Sequence, residues 1–318
     1  MDTPLLSIIT ETYNHAPFIR KFLDGVVMQK TNFPFELLIH DDASTDETAN
    51  IIREYEAKYP EIIKPIYQKE NLYSKGLSIC RKYQFPRIKG KYSAFCEGDD
   101  YWIDPLKLQK QVDFLESHPD YSICGGRYWV TEKNKPDVLF EQDWMIRGMS
   151  KYPKGRTVTL NNFFDNYLLW TLTICLRSEC ITELYNFKTY KDDTIFAVAL
   201  EKGKGFIFPD YFGVYNQHNG GIWAGIDYFQ KKKQNMPILE EMYPHFYHKS
   251  KSFRKWYYRD IMGLDFFELT KSEHLLKDYW KMIKITFSGS LDTFPYRIKY
   301  FTADSFKYLF RYIRKKLK

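Results

Sequence analysis

Short apolar runs alternate with amphipathic segments through the first 125 residues, and this alternation constrains the fold more than any other feature. Leu5–Thr10 is a continuous apolar run, as expected of a strand buried on both faces, and apolar residues at helical spacing follow it from Phe18. The pattern recurs after Phe35 and again after Tyr92. It predicts an α/β fold, with a mostly parallel sheet, flanking helices and a Rossmann-like nucleotide-binding half.

Polar clusters follow three of the predicted strands, where ligands bind in parallel sheets. They read "ETYNH", "DDASTD" and "EGDDYW". In the second cluster, Ser44 and Glu47 have the spacing of a capping box, which predicts that Ser44 caps the next helix. The candidate binding residues at these strand ends are Glu11, Tyr13, Asp42, Glu97, Asp99 and Asp100.

Crowded carboxylates at the end of a buried strand need an explanation. Glu97, Asp99 and Asp100 lie within four positions, and either they form a solvated turn that begins a helix or they bind a divalent cation that bridges a phosphate. Asp41 and Asp42, expected at the same sheet edge, favour the second explanation. A carboxylate there can accept hydrogen bonds from a nucleotide base or a ribose hydroxyl.

The ordered set of motifs resembles family 2 glycosyltransferases with the GT-A fold. The resemblance extends over roughly residues 5–225 and is strongest from 5 to 120. It rests on "SIITETYNH", "FELLIHDDASTDET" and "EGDDYWIDPLKLQKQ", and more loosely on "YKDD" and "YNQHNGGIW".

The resemblance implies roles for the residues at the strand ends. Glu11 and Tyr13 match a loop that contacts the nucleotide base, and Asp42 matches an acid that binds the base. Glu97 and Asp99 match the first and last positions of the D-x-D motif, with Glu in place of the first Asp. Asp99 and the following Asp100 would then lie nearest to Mn²⁺ or Mg²⁺ and to the donor diphosphate.

The resemblance also implies a catalytic base and a second metal ligand. Asp193 of the pair Asp192-Asp193 matches the acid that takes the proton from the acceptor hydroxyl in an inverting transfer. The alternative is a helix N-terminus, whose dipole favours acidic residues. His218 matches a metal or diphosphate ligand, with an ordinary polar role as its alternative.

Two tryptophans are candidates for sugar stacking. Aromatic faces stack on the C–H surfaces of sugars, so Trp102 and Trp223 are predicted to line the sugar sites, with core packing as the alternative.

Charge and motif patterns predict the domain organisation. A glycosyltransferase domain is expected over 1–228, with a nucleotide-sugar-binding half (1–125) and an acceptor-binding half (126–228). A basic, aromatic-rich helical extension follows over 229–318, where 20 Lys and Arg stand against 9 Asp and Glu from residue 231 onward. The segment "FKYLFRYIRKKLK" suits an amphipathic helix on anionic lipid, while a solvated or packed surface stays open and nucleic acid is disfavoured.

Composition limits the compartment and the competing functions. Five cysteines without a C-x-x-C pair argue against disulfides and a zinc site. A cytoplasmic protein, peripheral on the inner face of the membrane if the extension binds lipid, is therefore expected.

The expected activity is transfer of one sugar, with inversion, from a nucleoside-diphosphate sugar, foremost a UDP-sugar, to a saccharide or lipid-linked saccharide in bacterial surface polysaccharide synthesis. The alternative is a non-catalytic sugar-nucleotide-binding or scaffold protein of the same fold, against which the presence of all three acidic pairs argues.

Overall fold

The computed structural model describes residues 3–133, 135–221 and 224–269, with eight further positions between 280 and 298. The chain divides into two compact units. Unit 1 comprises residues 1–159 and 166–221, and unit 2 comprises 160–165 and 222–318. The boundaries predicted after residues 125 and 228 stay predictions.

The strands of unit 1 form one sheet. They are β1 (Leu6–Thr12), β2 (Phe35–Asp41), β3 (Ile63–Tyr67), β4 (Tyr92–Phe95), β5 (Tyr101–Trp102), β6 (Tyr121–Glu132), β7 (Lys135–Phe140), β8 (Arg156–Val158), β9 (Cys175–Arg177) and β10 (Lys204–Tyr215). Their order is β3-β2-β1-β4-β9-β6-β10-β5, with β7 paired to β6 and β8 paired to β10.

The helices flank this sheet in unit 1 and make up most of the described residues of unit 2. Unit 1 contains α1 (Ile19–Val27), α2 (Thr48–Lys58), α3 (Lys107–Ser117), α4 (Asp143–Met149), α6 (Glu179–Thr182) and α7 (Asp192–Lys202). Unit 2 contains α5 (Leu160–Phe163), α8 (Tyr228–Phe246) and α9 (Lys251–Leu269).

The first half of the sheet is parallel, as the alternation predicted. β1 pairs in parallel with β2 on one side and with β4 on the other, and β2 pairs in parallel with β3. Side chains on both faces of β1 are buried because helices cover the sheet, which explains the continuous apolar run. The sheet then becomes mixed, since β9 runs antiparallel to both β4 and β6.

Unit 2 is held together by aromatic packing and by hydroxyls that bond to α5. Phe246 and Phe253 are fully buried, and Phe164 stacks on Trp256 with ring centroids 4.8 Å apart. Ser250 Oγ donates a hydrogen bond of 2.6 Å to the Leu160 carbonyl oxygen. The helical character expected of the C-terminal extension is therefore present over α8 and α9.

Among the described residues, no helix combines the length and apolar character needed to cross a bilayer. The basic segment 306–318 lies outside the described residues.

A fully buried lysine lies beneath the sheet edge that carries β5. Lys107 has no exposed surface, donates to Gln111 Oε1 at 2.7 Å, and lies with its ammonium group 4.0 Å from the centre of the Trp102 ring. Burial lowers the pKa of Lys107 to about 8. Burying this side chain therefore costs free energy at neutral pH, because in the unfolded chain the charged ammonium group is exposed to water.

We expect this lysine to make stability increase with pH. Between the folded pKa of about 8 and the unfolded value near 10.4, the unfolded chain binds more protons, so the free energy of unfolding rises with pH. From pH 7.5 to 9.5, wild type should gain about 1 to 2 kcal/mol relative to Lys107→Met in denaturant titrations. The exposed-site control Lys89→Met should behave as wild type, and equal pH slopes for Lys107→Met and wild type would contradict the assignment.

Candidate active site

The register of the parallel strands brings the three polar clusters to one edge of the sheet. Thr12 at the end of β1 lies opposite Asp41 at the end of β2, and Ile9 lies opposite Phe95 at the end of β4. Backbone bonds continue past the strands, because Asp42 N–H donates to the Thr12 carbonyl at 3.0 Å and Gly98 N–H donates to the Glu11 carbonyl at 3.3 Å. The loops are thus fixed side by side.

Close packing explains the glycine in the acidic turn. A Cβ atom at Gly98 would lie 2.9 Å from Thr12 Oγ1 and 3.0 Å from Ile19 Cδ1. Any side chain there would push the turn away from the end of β1. Gly98 therefore lets Glu97 and Asp99 approach the end of β1, which carries Glu11.

The loops after β1 and β2 are cross-linked by side chains. Asn14 N–H donates to Ser44 Oγ at 2.9 Å, and Thr45 N–H donates to Asn14 Oδ1 at 2.8 Å. Ser44 Oγ in turn donates to Asp41, while Thr48 N–H bonds to Asp46. The prediction that Ser44 caps α2 is wrong: Asp46 satisfies the helix start, and Ser44 joins the two loops.

The predicted base-binding acids also have structural partners. Asp42 is buried, and its two oxygens accept hydrogen bonds from Leu72 N–H at 2.8 Å and Tyr73 N–H at 3.0 Å. A carboxylate has about four acceptor sites, so Asp42 keeps capacity for another donor. Tyr13 is exposed.

Glu11 faces the short helical segment that begins at Cys80. Burial, together with the charge of Asp42, raises the pKa of Glu11, although hydrogen bonds from the Cys80 thiol and backbone act in the opposite direction. Glu11 is therefore a carboxyl group whose negative charge is costly without a further positive partner.

Charge repulsion is strongest in the acidic turn. Asp100 is buried and its Oδ1 accepts a hydrogen bond of 2.8 Å from Asn216 N–H. Burial and the charge of Asp99 raise its pKa well above the usual range. Glu97 keeps accessible surface, yet desolvation by the surrounding protein and the charges of Asp99, Asp192 and Glu11 raise its pKa as well.

Two imidazole rings lie beside the carboxylate of Asp99. His218 Nε2 lies 3.0 Å from Asp99 Oδ2, and His15 Nε2 lies 3.7 Å from the same oxygen. Burial acts to raise the pKa of Asp99, but the hydrogen bond from His218 and the charge of His15 outweigh it and lower that pKa. Gly220 N–H donates to His218 Nδ1 at 3.2 Å, which assigns the proton of the neutral ring to Nε2.

The donor atoms of Asp99 and His218 fit a divalent cation that also binds phosphate oxygens. Two cis ligands of an octahedral ion with bonds of about 2.1 Å lie about 3.0 Å apart, which matches the distance between His218 Nε2 and Asp99 Oδ2. Binding a cation through Nε2 would move the ring proton to Nδ1 and would replace the hydrogen bond that Nδ1 accepts from Gly220 N–H. Over the described part of the chain, no group of three or more His, Cys, Asp or Glu side chains is arranged to hold a metal by itself.

The third acidic pair opens α7. Asp192 and Asp193 are the first two residues of this helix, where its dipole stabilises negative charge. The Tyr167 hydroxyl donates a hydrogen bond to Asp193, and desolvation together with the charge of Asp193 raises the pKa of Tyr167 well above its usual value. The charge of Asp192 acts on Glu97, so the third acidic pair lies near the acidic turn.

One sugar-stacking candidate is corrected by its position in the core. Trp102 is 3% exposed, its indole N–H donates to the Leu172 carbonyl at 2.7 Å, and Lys107 lies against its ring. A ring enclosed in this way has no free face for a sugar, so Trp102 is a core residue. Trp223 lies outside the described residues.

The sequence motifs assigned no role to two residues near the site. His15 belongs to the "ETYNH" cluster, but only the fold shows that it approaches Asp99. Tyr167 lies in the apolar stretch 161–185, which carries no candidate motif, and no sequence signal pairs it with Asp193.

Comparison with known proteins identifies the family. The model of glycosyl transferase family 2 matches residues 7–173, which is more than half of the chain. The chain belongs to this family. The matched range includes β1, β2, β4 and the acidic turn, and it ends before the pair Asp192-Asp193.

The similarity to relatives covers only part of each chain. An uncharacterized protein of Mycobacterium tuberculosis is 47% identical over 219 residues, 69% of this chain and 60% of that protein. The glucosyltransferase WfaP of Escherichia coli, named for transfer from UDP-Glc to α-D-GlcNAc-diphosphoundecaprenol in β-1,3 linkage, is 30% identical over 149 residues, 47% of this chain and 52% of WfaP. The chain therefore spans about half of WfaP and somewhat more of the mycobacterial protein.

A solved structure confirms the fold class. Residues 1–349 of TarS from Staphylococcus aureus, in complex with UDP-GlcNAc, superpose with a TM-score of 0.59 at 17% identity, covering 94% of this chain and 80% of the other. At this identity the likeness establishes the GT-A fold of the family 2 chain.

Removing the buried charge at Asp100 should stabilise the metal-free protein. Asp100→Asn keeps an oxygen for Asn216 N–H and loses the desolvation and repulsion that raise the pKa of Asp100. Because that pKa is raised on folding, wild type loses stability as pH rises above 3.8, and the variant does not. In EDTA at pH 7, Asp100→Asn should melt about 2 °C or more above wild type, and the gap should close near pH 3.5. The exposed control Asp113→Asn should show no gain, and a lower melting temperature for Asp100→Asn would contradict the prediction.

Proposed function

We propose that this family 2 chain transfers a single sugar from a UDP-sugar to a saccharide or lipid-linked saccharide acceptor, with inversion at the anomeric carbon. The observation that carries the proposal is the convergence of three acidic elements: Glu11 near the end of β1, the turn at Glu97 and Asp99 after β4, and Asp192 at the start of α7. Gly98 N–H donates to the Glu11 carbonyl at 3.3 Å, and the charges of Asp192 and Glu11 contribute to the raised pKa of Glu97. The name of WfaP supports a UDP-sugar donor and a lipid-linked acceptor.

The nucleotide is proposed to bind at the ends of β1 and β2. Asp42 is held in place by the two backbone N–H groups at 72 and 73, which leaves lone pairs for a base N–H. Tyr13 is exposed in the adjoining loop and can cover the base with its ring. Glu11 lies between this region and the acidic turn and is assigned to the donor as well.

The diphosphate is proposed to bind beside Asp99 and His218, which would hold Mn²⁺ or Mg²⁺. Such an ion supplies positive charge where the leaving diphosphate accumulates negative charge. Asp100 is assigned to this site too, and its hydrogen bond with Asn216 N–H ties the acidic turn to the segment that carries His218. Glu97, in place of the family's first Asp, is assigned to the donor.

Asp193 is proposed as the catalytic base. It lies in the first turn of α7 and accepts a hydrogen bond from Tyr167, and both features favour the charged carboxylate that a base needs. Removing the acceptor proton lets that oxygen attack the anomeric carbon on the side opposite the diphosphate, which inverts the configuration.

The proposed setting is the inner surface of a bacterial membrane during surface polysaccharide synthesis. A lipid-linked acceptor is confined to that surface, and a basic C-terminal region suits anionic headgroups.

Adjacent acids offer a matched test of the catalytic base. Turnover is measured as UDP release from UDP-Glc and UDP-GlcNAc with polyprenyl-diphosphate-linked GlcNAc as acceptor. Asp193→Asn should lower kcat by about 100-fold or more while UDP affinity stays within about threefold, because general-base catalysis contributes on this scale. Asp192→Asn should cost less than about tenfold in kcat. Near-normal turnover of Asp193→Asn, or a larger loss in Asp192→Asn, would remove Asp193 from this role.

A further inference from the structure

An aromatic cluster of unit 1 lies beside the acidic residues and has no role in the donor site. Trp170 is at its centre. Its ring stacks on Tyr128 at a centroid distance of 5.3 Å and lies 6.0 Å from the ring of Trp144. Tyr167 and Tyr215 meet it edge to face at 6.2 Å and 5.9 Å. Four separate segments of the chain thus contribute to one aromatic surface.

This cluster extends from the candidate base to the acidic turn. On one side, Trp170 contacts Tyr167, whose hydroxyl donates to Asp193. On another side it contacts Tyr215, whose pKa is raised by burial and by the nearby charge of Asp100. An acceptor has to lie between the base and the donor sugar, and Trp170 links residues at both of these places.

The exposure of the rings separates core from surface. Tyr128 is 2% exposed and forms the base of the cluster, whereas Trp144, Tyr167 and Trp170 are half-buried. The two half-buried tryptophans present an apolar ring surface, and Tyr167 beside Trp170 bonds to the carboxylate of Asp193. That combination suits a pyranose ring, which has C–H groups on its faces and hydroxyls around its edge.

We propose that Trp170, flanked by Trp144, is the stacking surface for the acceptor saccharide. Tyr167 is a positioning residue that orients Asp193 toward the acceptor hydroxyl. This inference rests on the proposed function and names the part of the site that the acceptor occupies. It assigns the role of sugar stacking to residues of the loop before β9 and of α4.

Trp129 provides a matched control on the same strand as Tyr128. Successive side chains of a strand point to opposite faces of the sheet, so Trp129 lies on the face away from Tyr128. Its ring stacks on Tyr211 at 4.2 Å, and Arg127 lies 4.3 Å from the centre of the Tyr211 ring. Trp129 is half-buried as well, so its replacement removes a comparable indole.

The test measures saccharide and nucleotide binding separately. Binding of the methyl β-glycosides of glucose, galactose, mannose and GlcNAc is measured by saturation-transfer NMR. Binding of UDP in the presence of Mn²⁺ is measured by calorimetry. We expect saturable binding of at least one glycoside to wild type. Trp170→Leu and Trp144→Leu should each weaken it about fivefold or more, with UDP affinity within about twofold of wild type. Trp129→Leu should change neither affinity.

Each outcome decides between the two proposals. The stacking surface is contradicted if wild type binds none of the four glycosides, or if Trp129→Leu loses as much glycoside affinity as Trp170→Leu. Intact UDP binding in either case leaves the proposed function standing. Failure of wild type to bind UDP contradicts the proposed function itself. Melting temperatures show whether each variant is folded. If Trp170→Leu is unfolded, two other variants test the proposal. Trp170→Phe should retain glycoside binding, and Trp144→Leu should weaken it.

Discussion

The parallel pairing of β1 with β2 and β4 is the constraint on which the rest of the site depends. Its register places the loops that follow the three strands at one edge of the sheet. Backbone hydrogen bonds from Asp42 to Thr12 and from Gly98 to Glu11 then hold these loops next to one another. The Asn14 and Ser44 contacts then fix the first two loops to each other. The strand register therefore determines the positions of the acidic residues, and their chemistry follows from their proximity to one another.

Proximity of the carboxylates has an energetic cost that the fold tolerates. Glu11, Glu97 and Asp100 all have raised pKa values, with desolvation as the main cause, and repulsion from neighbouring carboxylates adds to it. Asp99 differs because two imidazoles face it. A site that concentrates negative charge around one compensated carboxylate is suited to a ligand that brings a cation with it, as a metal-bound nucleoside diphosphate does.

Local patterns in the sequence were sufficient for some parts of this structure and insufficient for others. The apolar run at the start and the helical spacing from Phe18 depend on neighbouring residues, and both predicted elements are present. Ser44 was assigned to the wrong partner because the competing Asn14 comes from another loop. For Trp102 the sequence leaves both sugar stacking and core packing open, because its burial depends on Leu172 and Lys107. The short strand β9 and the contact of Tyr167 with Asp193 likewise depend on residues distant in the chain.

The central claim is that the acidic edge of the sheet binds a nucleoside diphosphate together with a divalent cation. Calorimetric titration of UDP, GDP and CMP into the purified chain, in Mn²⁺ and then in EDTA, tests it most directly. We predict binding of UDP in Mn²⁺ that is lost in EDTA, and the same loss in Asp99→Asn with the metal present. A folded protein that binds none of these nucleotides in Mn²⁺, or binds UDP equally well in EDTA, would contradict the account.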